Sequence, residues 1–173
     1  MTEPHGSGRA RWSIFLGLAA VVLTADQLSK AWLVSILPEP GDRLSVVGEY
    51  VRLVHSQNSG ALFGLFRDQA LLFGLVSIVV VGLIVWYHGN SGRSTLLSVA
   101  LGLLLGGAFG NMVDRLRLGH VVDFVDIGIG DLRWYTFNVA DSAISGAILL
   151  LILSALLPVR PPPEPTPTEA ANG

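Results

Sequence analysis

The sequence predicts an all-α integral membrane protein of four transmembrane helices, with a small β-structured element in the loop after the first helix. The apolar residues gather into four blocks, each about as long as the roughly 20 residues that cross a bilayer. Those blocks lack the polar face of a soluble amphipathic helix. Charged residues make up only 14% of the 173 residues, against about 25% in a typical soluble domain. Mean hydropathy is +0.58.

Residues 1–11 read as a polar tail, and the first helix is expected at about 12–37. Arg9 and Arg11 before an apolar run imitate a secretory signal peptide. However, Thr24-Ala25 leads straight into Asp26-Gln27, a poor cleavage pattern, and the apolar pattern resumes after Lys30. In the loop 38–69, Arg43–Val47 and Tyr50–Val54 flank Gly48-Glu49. Glycine at the first central position suits a type II′ hairpin turn. Ala70 to Tyr87 carries no charge and predicts a helix at about 70–88. Ser94 to Val113 carries none either and predicts one at about 94–114. In the loop 115–137, residues 119–124 and 134–137 are short enough for strand or irregular backbone. Trp134 and Tyr135 suit the aromatic belt at a membrane interface. The fourth helix is expected at about 138–157. Residues 158–173 hold six of the nine prolines and read as an extended, disordered tail with little to bury.

Four crossings place both termini on one side. That side holds Arg9, Arg11, Arg93 and Arg160, while the loops 38–69 and 115–137 hold Arg43, Arg52, Arg67, Arg115, Arg117 and Arg133. Counted plainly, the positive-inside rule puts those loops in the cytoplasm. Several of these arginines stand beside acids, so the count alone does not settle orientation.

Several function classes are excluded. A net charge of −2 rules out nucleic-acid binding by phosphate neutralisation. With no cysteine there is no thiol nucleophile and no thiolate metal site. HExxH and GxSxG are absent, and the four histidines are scattered. Ser29 and Lys30 are adjacent, so on a helix they diverge and make a poor dyad. Gly128-Ile129-Gly130-Asp131 spells the GxGD string of some intramembrane proteases but sits in a short polar loop.

Ionisable residues in a bilayer are costly, so each needs a partner or a task. Asp26 and Lys30 share a helix face and can pair, either to orient the helix or to line a polar site. Asn111, Asp114 and Arg115 share one face at the end of the third helix. Asp123 is flanked by large apolar groups, which favours its neutral form. Asn138 and Asp141 open the fourth helix as an N-cap and a first-turn acid. Asp26, Asp114, Asp123 and Asp141 all lie near one boundary of their segments and can converge on one half-buried patch. Two carboxylates close together share a proton, and a water between them can attack a carbonyl. Aspartyl hydrolysis at a membrane surface is therefore a reasonable chemical reading, though residue types alone leave the pair unassigned. A transporter would instead carry charges near the middle of its helices; the second helix here is bare.

Five blocks in order carry a resemblance. They are Asp26-Gln27-Leu28-Ser29-Lys30, Asn58-Ser59-Gly60-Ala61-Leu62-Phe63-Gly64, Gly110-Asn111-Met112-Val113-Asp114-Arg115, Gly119-His120-Val121-Val122-Asp123-Phe124 and Phe137-Asn138-Val139-Ala140-Asp141. Together they resemble the bacterial lipoprotein signal peptidases (signal peptidase II), over roughly Trp12 to Leu157. The resemblance implies four transmembrane helices with a small extracytoplasmic β-cradle between helices 1 and 2. It implies cytoplasmic termini and an active site near the extracytoplasmic face of the inner membrane, against the arginine count. It implies Asp123 and Asp141 as a catalytic dyad. Asp26, Lys30, Asn58, Gly60, Asn111, Asp114, Arg115 and Asn138 then line or brace the site. The implied reaction removes the signal peptide of a diacylglyceryl-modified prolipoprotein before the lipidated cysteine. Membrane lipids are implied partners and globomycin-type inhibitors implied ligands. No cofactor, metal or nucleic acid is implied.

Overall fold

A computed structural model of the chain describes residues 6–59, 69–90 and 94–156. Its elements run α1 (Gly6–Ile36), β1 (Arg43–Val47), β2 (Val51–Asn58), α2 (Ala70–Asn90), α3 (Thr95–Leu118), β3 (Val121–Ile129), β4 (Leu132–Arg133) and α4 (Val139–Leu156). All four helices are long and apolar enough to cross a membrane.

Two helix boundaries correct the sequence reading. The first helix starts at Gly6, inside the expected polar tail. The third continues past 114 to Leu118, so the loop expected from 115 starts later. Leu116, Arg117 and Leu118 are good helix formers. The stop is made by Gly119 at φ 74, whose N–H donates to the Arg115 carbonyl. An L-residue with a Cβ is strained in that left-handed conformation. Ser94 caps the other end, accepting from the Leu97 N–H at 3.3 Å.

α3 is the central helix, with more than half of its span buried, while α1, α2 and α4 keep most of theirs exposed. It packs against each of the other three. Close approach comes from small residues, as in other membrane bundles. A Cβ at Gly106 would lie 2.7 Å from the Ala19 carbonyl oxygen of α1, and one at Gly107 would lie 2.5 Å from that of Ala140 on α4. Gly107→Ala is therefore expected to cost about 1–3 kcal/mol by overpacking. Gly146→Ala meets nothing within 4 Å and should leave stability level or slightly raised. Thermal unfolding of both variants in detergent checks the contrast.

The expected β-ribbon forms and is part of something larger. Tyr50 N–H donates to the Val47 carbonyl at 3.0 Å, and Gly48 takes φ +49, as a primed hairpin turn requires. The sheet, however, draws on both loops rather than only the one between helices 1 and 2. Its order is β1-β2-β3-β4, with β3 and β4 arriving from between α3 and α4. Burial explains the recruitment: Val122 and Phe124 of β3 pack with Leu33 of α1 into one apolar cluster. Gly130, at φ +57, turns the chain between β3 and β4, so the GxGD string is a hairpin turn. Residues 134–136 are irregular, and Phe137 makes a single bridge to Val125.

His88 lies at the other end of the bundle. Its ring stacks on Phe15 at 4.0 Å and reaches the Ser98 hydroxyl at 3.1 Å.

Candidate active site

The polar residues of α1, α3, β2, β3 and α4 meet at the end of the bundle that carries the sheet. The fourth helix opens with a reciprocal cap. Asn138 Oδ1 accepts from the Asp141 N–H at 2.9 Å, and Asp141 Oδ2 accepts from the Asn138 N–H at 3.2 Å. This is a capping box with an Asp in the acidic place. Asp26 adds a third cap from another helix: its Oδ1 accepts from the Ala140 N–H at 3.0 Å.

Lys30 is buried with its three N–H bonds all used. Nζ lies 2.8 Å from Asp26 Oδ2, 2.8 Å from Asp114 Oδ2 and 3.1 Å from Asn111 Oδ1. A buried ammonium survives only with such compensation. Asp114 also accepts from the Val122 N–H of β3 at 3.2 Å. Asn111 accepts from Lys30 and from Asn138 Nδ2 (3.1 Å), and donates to Asp141 Oδ1 at 2.8 Å. These bonds fix the orientation of the Asn111 amide.

Asn138 joins the two acids at the centre. Its Nδ2 donates to Asp123 Oδ1 at 2.7 Å, while its Oδ1 holds the Asp141 N–H. Asn58, at the end of β2, donates to Asp123 Oδ2 at 3.0 Å. Asp123 is almost fully buried. Burial, and then the charge of Asp141, push its carboxyl up to about 7, against the amides of Asn58 and Asn138 and the charge of Lys30. Arg115 flanks the cluster, with Nη1 3.4 Å from the Asn111 carbonyl and the guanidinium 5.8 Å from the centre of the Phe73 ring.

Nine of the ten residues singled out in the sequence thus sit in one network or on its edge: Asp26, Lys30, Asn58, Asn111, Asp114, Arg115, Asp123, Asn138 and Asp141. Gly60 lies outside the described residues. The Asp26–Lys30 pair braces α1 against α3 and α4.

Gln27 joins the network without having been singled out by sequence reasoning. Its Nε2 lies 2.9 Å from Asp114 Oδ1, 3.2 Å from Asp26 Oδ2 and 3.3 Å from the Gly110 carbonyl. An amide inside an apolar block is itself the available signal. Gly110 is constrained too, because a Cβ there would lie 2.5 Å from Asp26 Oδ2. Among the described residues, no three His or acidic side chains are grouped to hold a metal ion.

The arrangement offers two carboxylates held by neutral amides beside a separate group of two carboxylates bridged by one lysine. The first pair is suited to proton transfer and the second to structural support.

Comparison with known proteins gives one answer. Residues 18–157 match the family model described as Signal peptidase (SPase) II. A lipoprotein signal peptidase of Caulobacter vibrioides is 42% identical over 156 residues, covering 86% of this chain and 89% of that protein. One from Syntrophomonas wolfei is 43% identical over 144 residues, covering 82% and 93%. A bacterial membrane enzyme solved by the in meso method at 2.3 Å resolution superposes with a TM-score of 0.72 at 29% identity, covering 80% of this chain and 85% of that one.

Proposed function

The chain belongs to the signal peptidase II family of aspartic peptidases, and from that premise we propose that it removes signal peptides from diacylglyceryl-modified prolipoproteins, cutting before the lipidated cysteine. The observation that carries this reading is the pair Asp123 and Asp141, joined through Asn138 and fixed by Asn58 and Asn111.

Below about pH 7 the pair holds a proton on Asp123. Asp141 stands in the first turn of α4 and accepts from the Asn138 N–H and the Asn111 amide, which favours its negative charge. A water between them loses a proton to Asp141 as its oxygen attacks the scissile carbonyl carbon. Asp123 gives its proton to the carbonyl oxygen, which forms a gem-diol. In the second step the C–N bond breaks. Asp141 returns its proton to the leaving amine nitrogen, and one diol proton returns to Asp123. The signal peptide leaves with a carboxyl group and the lipoprotein with a free amine, while both acids regain their starting forms. Lys30, Asp26, Asp114 and Gln27 touch neither reacting atom; they hold Asn111 and the start of α4.

Placement suits an acylated peptide. The site lies at the sheet end of apolar spans, so lipid chains stay in hydrocarbon while water arrives from the polar side. In this reading the chain is a multi-pass inner-membrane protein with cytoplasmic termini, and the sheet and site face the extracytoplasmic side. Prolipoproteins and membrane lipids are its partners, and globomycin-type compounds occupy the same site.

The test is digestion of a diacylglyceryl-modified prolipoprotein by detergent-purified protein, with both products weighed by mass spectrometry. Products matching a cut one bond before the modified cysteine support the reading, and a cut elsewhere opposes it. The rate should also fall as pH rises above about 7, where Asp123 loses its proton. The sign for stability is the same. Folding raises this carboxyl above its unfolded value, so the stabilising contribution is full below about pH 4 and is lost as pH rises through about 7. A rate still rising at pH 8 would contradict Asp123 as the proton donor.

A further inference from the structure

Outside the proposed catalytic network, the described residues of the sheet hold a charged cluster that the mechanism does not use. Asp126 on β3 is buried, although the next residue, Ile127, is exposed. Both of its carboxylate oxygens are taken by arginines from neighbouring strands. Arg52 of β2, its cross-strand partner, reaches Oδ2 through Nε at 2.9 Å and Nη2 at 2.7 Å. Arg133 of β4 reaches Oδ1 through Nε at 2.8 Å. The same arginine donates to the Asp126 carbonyl at 3.2 Å and, across the sheet, to the Glu49 carbonyl at 2.8 Å. Burial alone would raise the Asp126 carboxyl, but the two guanidiniums outweigh it and hold it below the usual carboxylate range.

The position of this cluster gives it a task. Each strand that meets at Asp126 runs on to a residue holding the catalytic pair. β2 leads from Arg52 to Asn58, which donates to Asp123. β3 carries Asp123 itself. The chain leads from Arg133, through the bridge at Phe137, to Asn138 and Asp141. Between cluster and site the register is irregular. Leu53 pairs with Val125 but Ser56 pairs with Asp123, so β2 carries an extra residue there. A bulge weakens local pairing, and a one-residue slip turns every side chain to the other face. A fixed point beyond the bulge is what such a strand needs.

We propose that Asp126, clamped by Arg52 and Arg133, is a positioning residue that sets the mutual placement of Asn58, Asp123 and Asn138. The clamp touches no substrate. It fixes three arms, and the arms fix the pair. Its loss lets β3 slide or twist at the bulge and lets water reach Asp123. The charged and titratable groups acting on or with Asp123 are Lys30 from α1, Arg115 from α3, Asp141 from α4, and Tyr135 from the segment after β4. Asp126→Asn alters none of them, and Arg133→Lys, which keeps the charge of the clamp, separates a change passed through the strand from the direct field of the removed charge.

This inference rests on the proposed peptidase reading, and the experiment separates the two. Wild type, Asp123→Asn, Asp126→Asn, Arg133→Lys, the double variant Asp126→Asn/Arg133→Lys and Gly106→Ala are assayed on lipidated prolipoprotein across pH, with thermal unfolding recorded for each. Cleavage by wild type and none by Asp123→Asn keeps the peptidase reading; no cleavage by wild type overturns that reading. Asp126→Asn is expected to lower kcat about 10- to 100-fold, as displaced catalytic groups do, with KM unchanged. Its alkaline pH limb should move down, because a better-solvated Asp123 releases its proton earlier. The double variant should be no slower than Asp126→Asn alone. Gly106→Ala loosens α1 against α3 away from the sheet, and should lower thermal stability without moving the pH limb. An active wild type with kcat and pH limb unchanged in folded Asp126→Asn overturns the clamp. So does a loss that follows thermal stability alone, as in Gly106→Ala. If Asp126→Asn does not accumulate, Arg133→Lys decides the matter. It keeps the charge but loses the fork, and an unchanged kcat and pH limb there overturn the proposal.

Discussion

Asp123→Asn and Asp141→Asn are each expected to reduce cleavage by at least about 1,000-fold, within the range that acid–base groups contribute. The two changes are nearly isosteric. Each removes the one thing the mechanism needs from that position: a proton to give at Asp123, a charge to accept one at Asp141. The loss in either single variant should be close to that in the double variant, because groups acting as a unit are not additive. Stability should respond less. At Asp123 the new amide faces the Asn58 and Asn138 donors, which were bonded to carboxylate oxygens. One donor is then opposed, at a cost of about 1–3 kcal/mol, and the helices and sheet stay in place. Initial rates under single-turnover conditions, read beside thermal unfolding, check this. A folded variant that keeps more than about a tenth of the wild-type rate would remove that residue from the dyad.

Lys30→Met should destabilise the protein more than Gly107→Ala or either dyad substitution. Methionine has nearly the length of the lysine stem but leaves Asp26 and Asp114 buried with no cation between them. Breaking a buried pair by removing one partner costs about 3–5 kcal/mol. The damage is local in origin and wide in reach. Asp26 holds the Ala140 N–H of α4, Asp114 holds the Val122 N–H of β3, and Asn111 loses one of the two donors on its oxygen. Activity should fall with stability. Adding Asp114→Asn to Lys30→Met should restore part of the stability, since one stranded charge is then gone, but little of the activity. Denaturant unfolding in micelles of fixed composition measures both effects. Equal stability for wild type and Lys30→Met would mean that the buried triad contributes nothing to folding.

The spans are legible in the sequence because lipid leaves a simple signature: uncharged blocks about 20 residues long. The same economy exposes the site. In blocks otherwise free of charge, Asp26, Lys30, Asn111 and Asp114 stand out one by one, and the order of the five motifs points to the family. The β-hairpin at Gly48-Glu49 is legible from its turn residues, which act locally.

The joining of the two loops into one sheet is not legible. Pairing Asn58 with Val121, or Arg52 with Asp126, depends on tertiary burial of Val122 and Phe124 against Leu33, and no local pattern encodes that. Asp126 escapes sequence reading for the same reason. In sequence it is an ordinary acid near a turn, and only the fold supplies its two arginines. The end of α3 is expected too early because Asp114 and Arg115 resemble the start of a polar loop. Gly119, a few positions later, is the true stop signal.

One paired digestion tests the dyad and the substrate class together. Purified wild-type protein in micelles is given the same prolipoprotein with and without its diacylglyceryl group, beside folded Asp141→Asn. Wild type is expected to cut only the lipidated form, immediately before the modified cysteine, and Asp141→Asn to cut neither. Equal cutting of both forms would remove the lipid from substrate recognition, and cutting by Asp141→Asn at the wild-type rate would remove Asp141 from the chemistry.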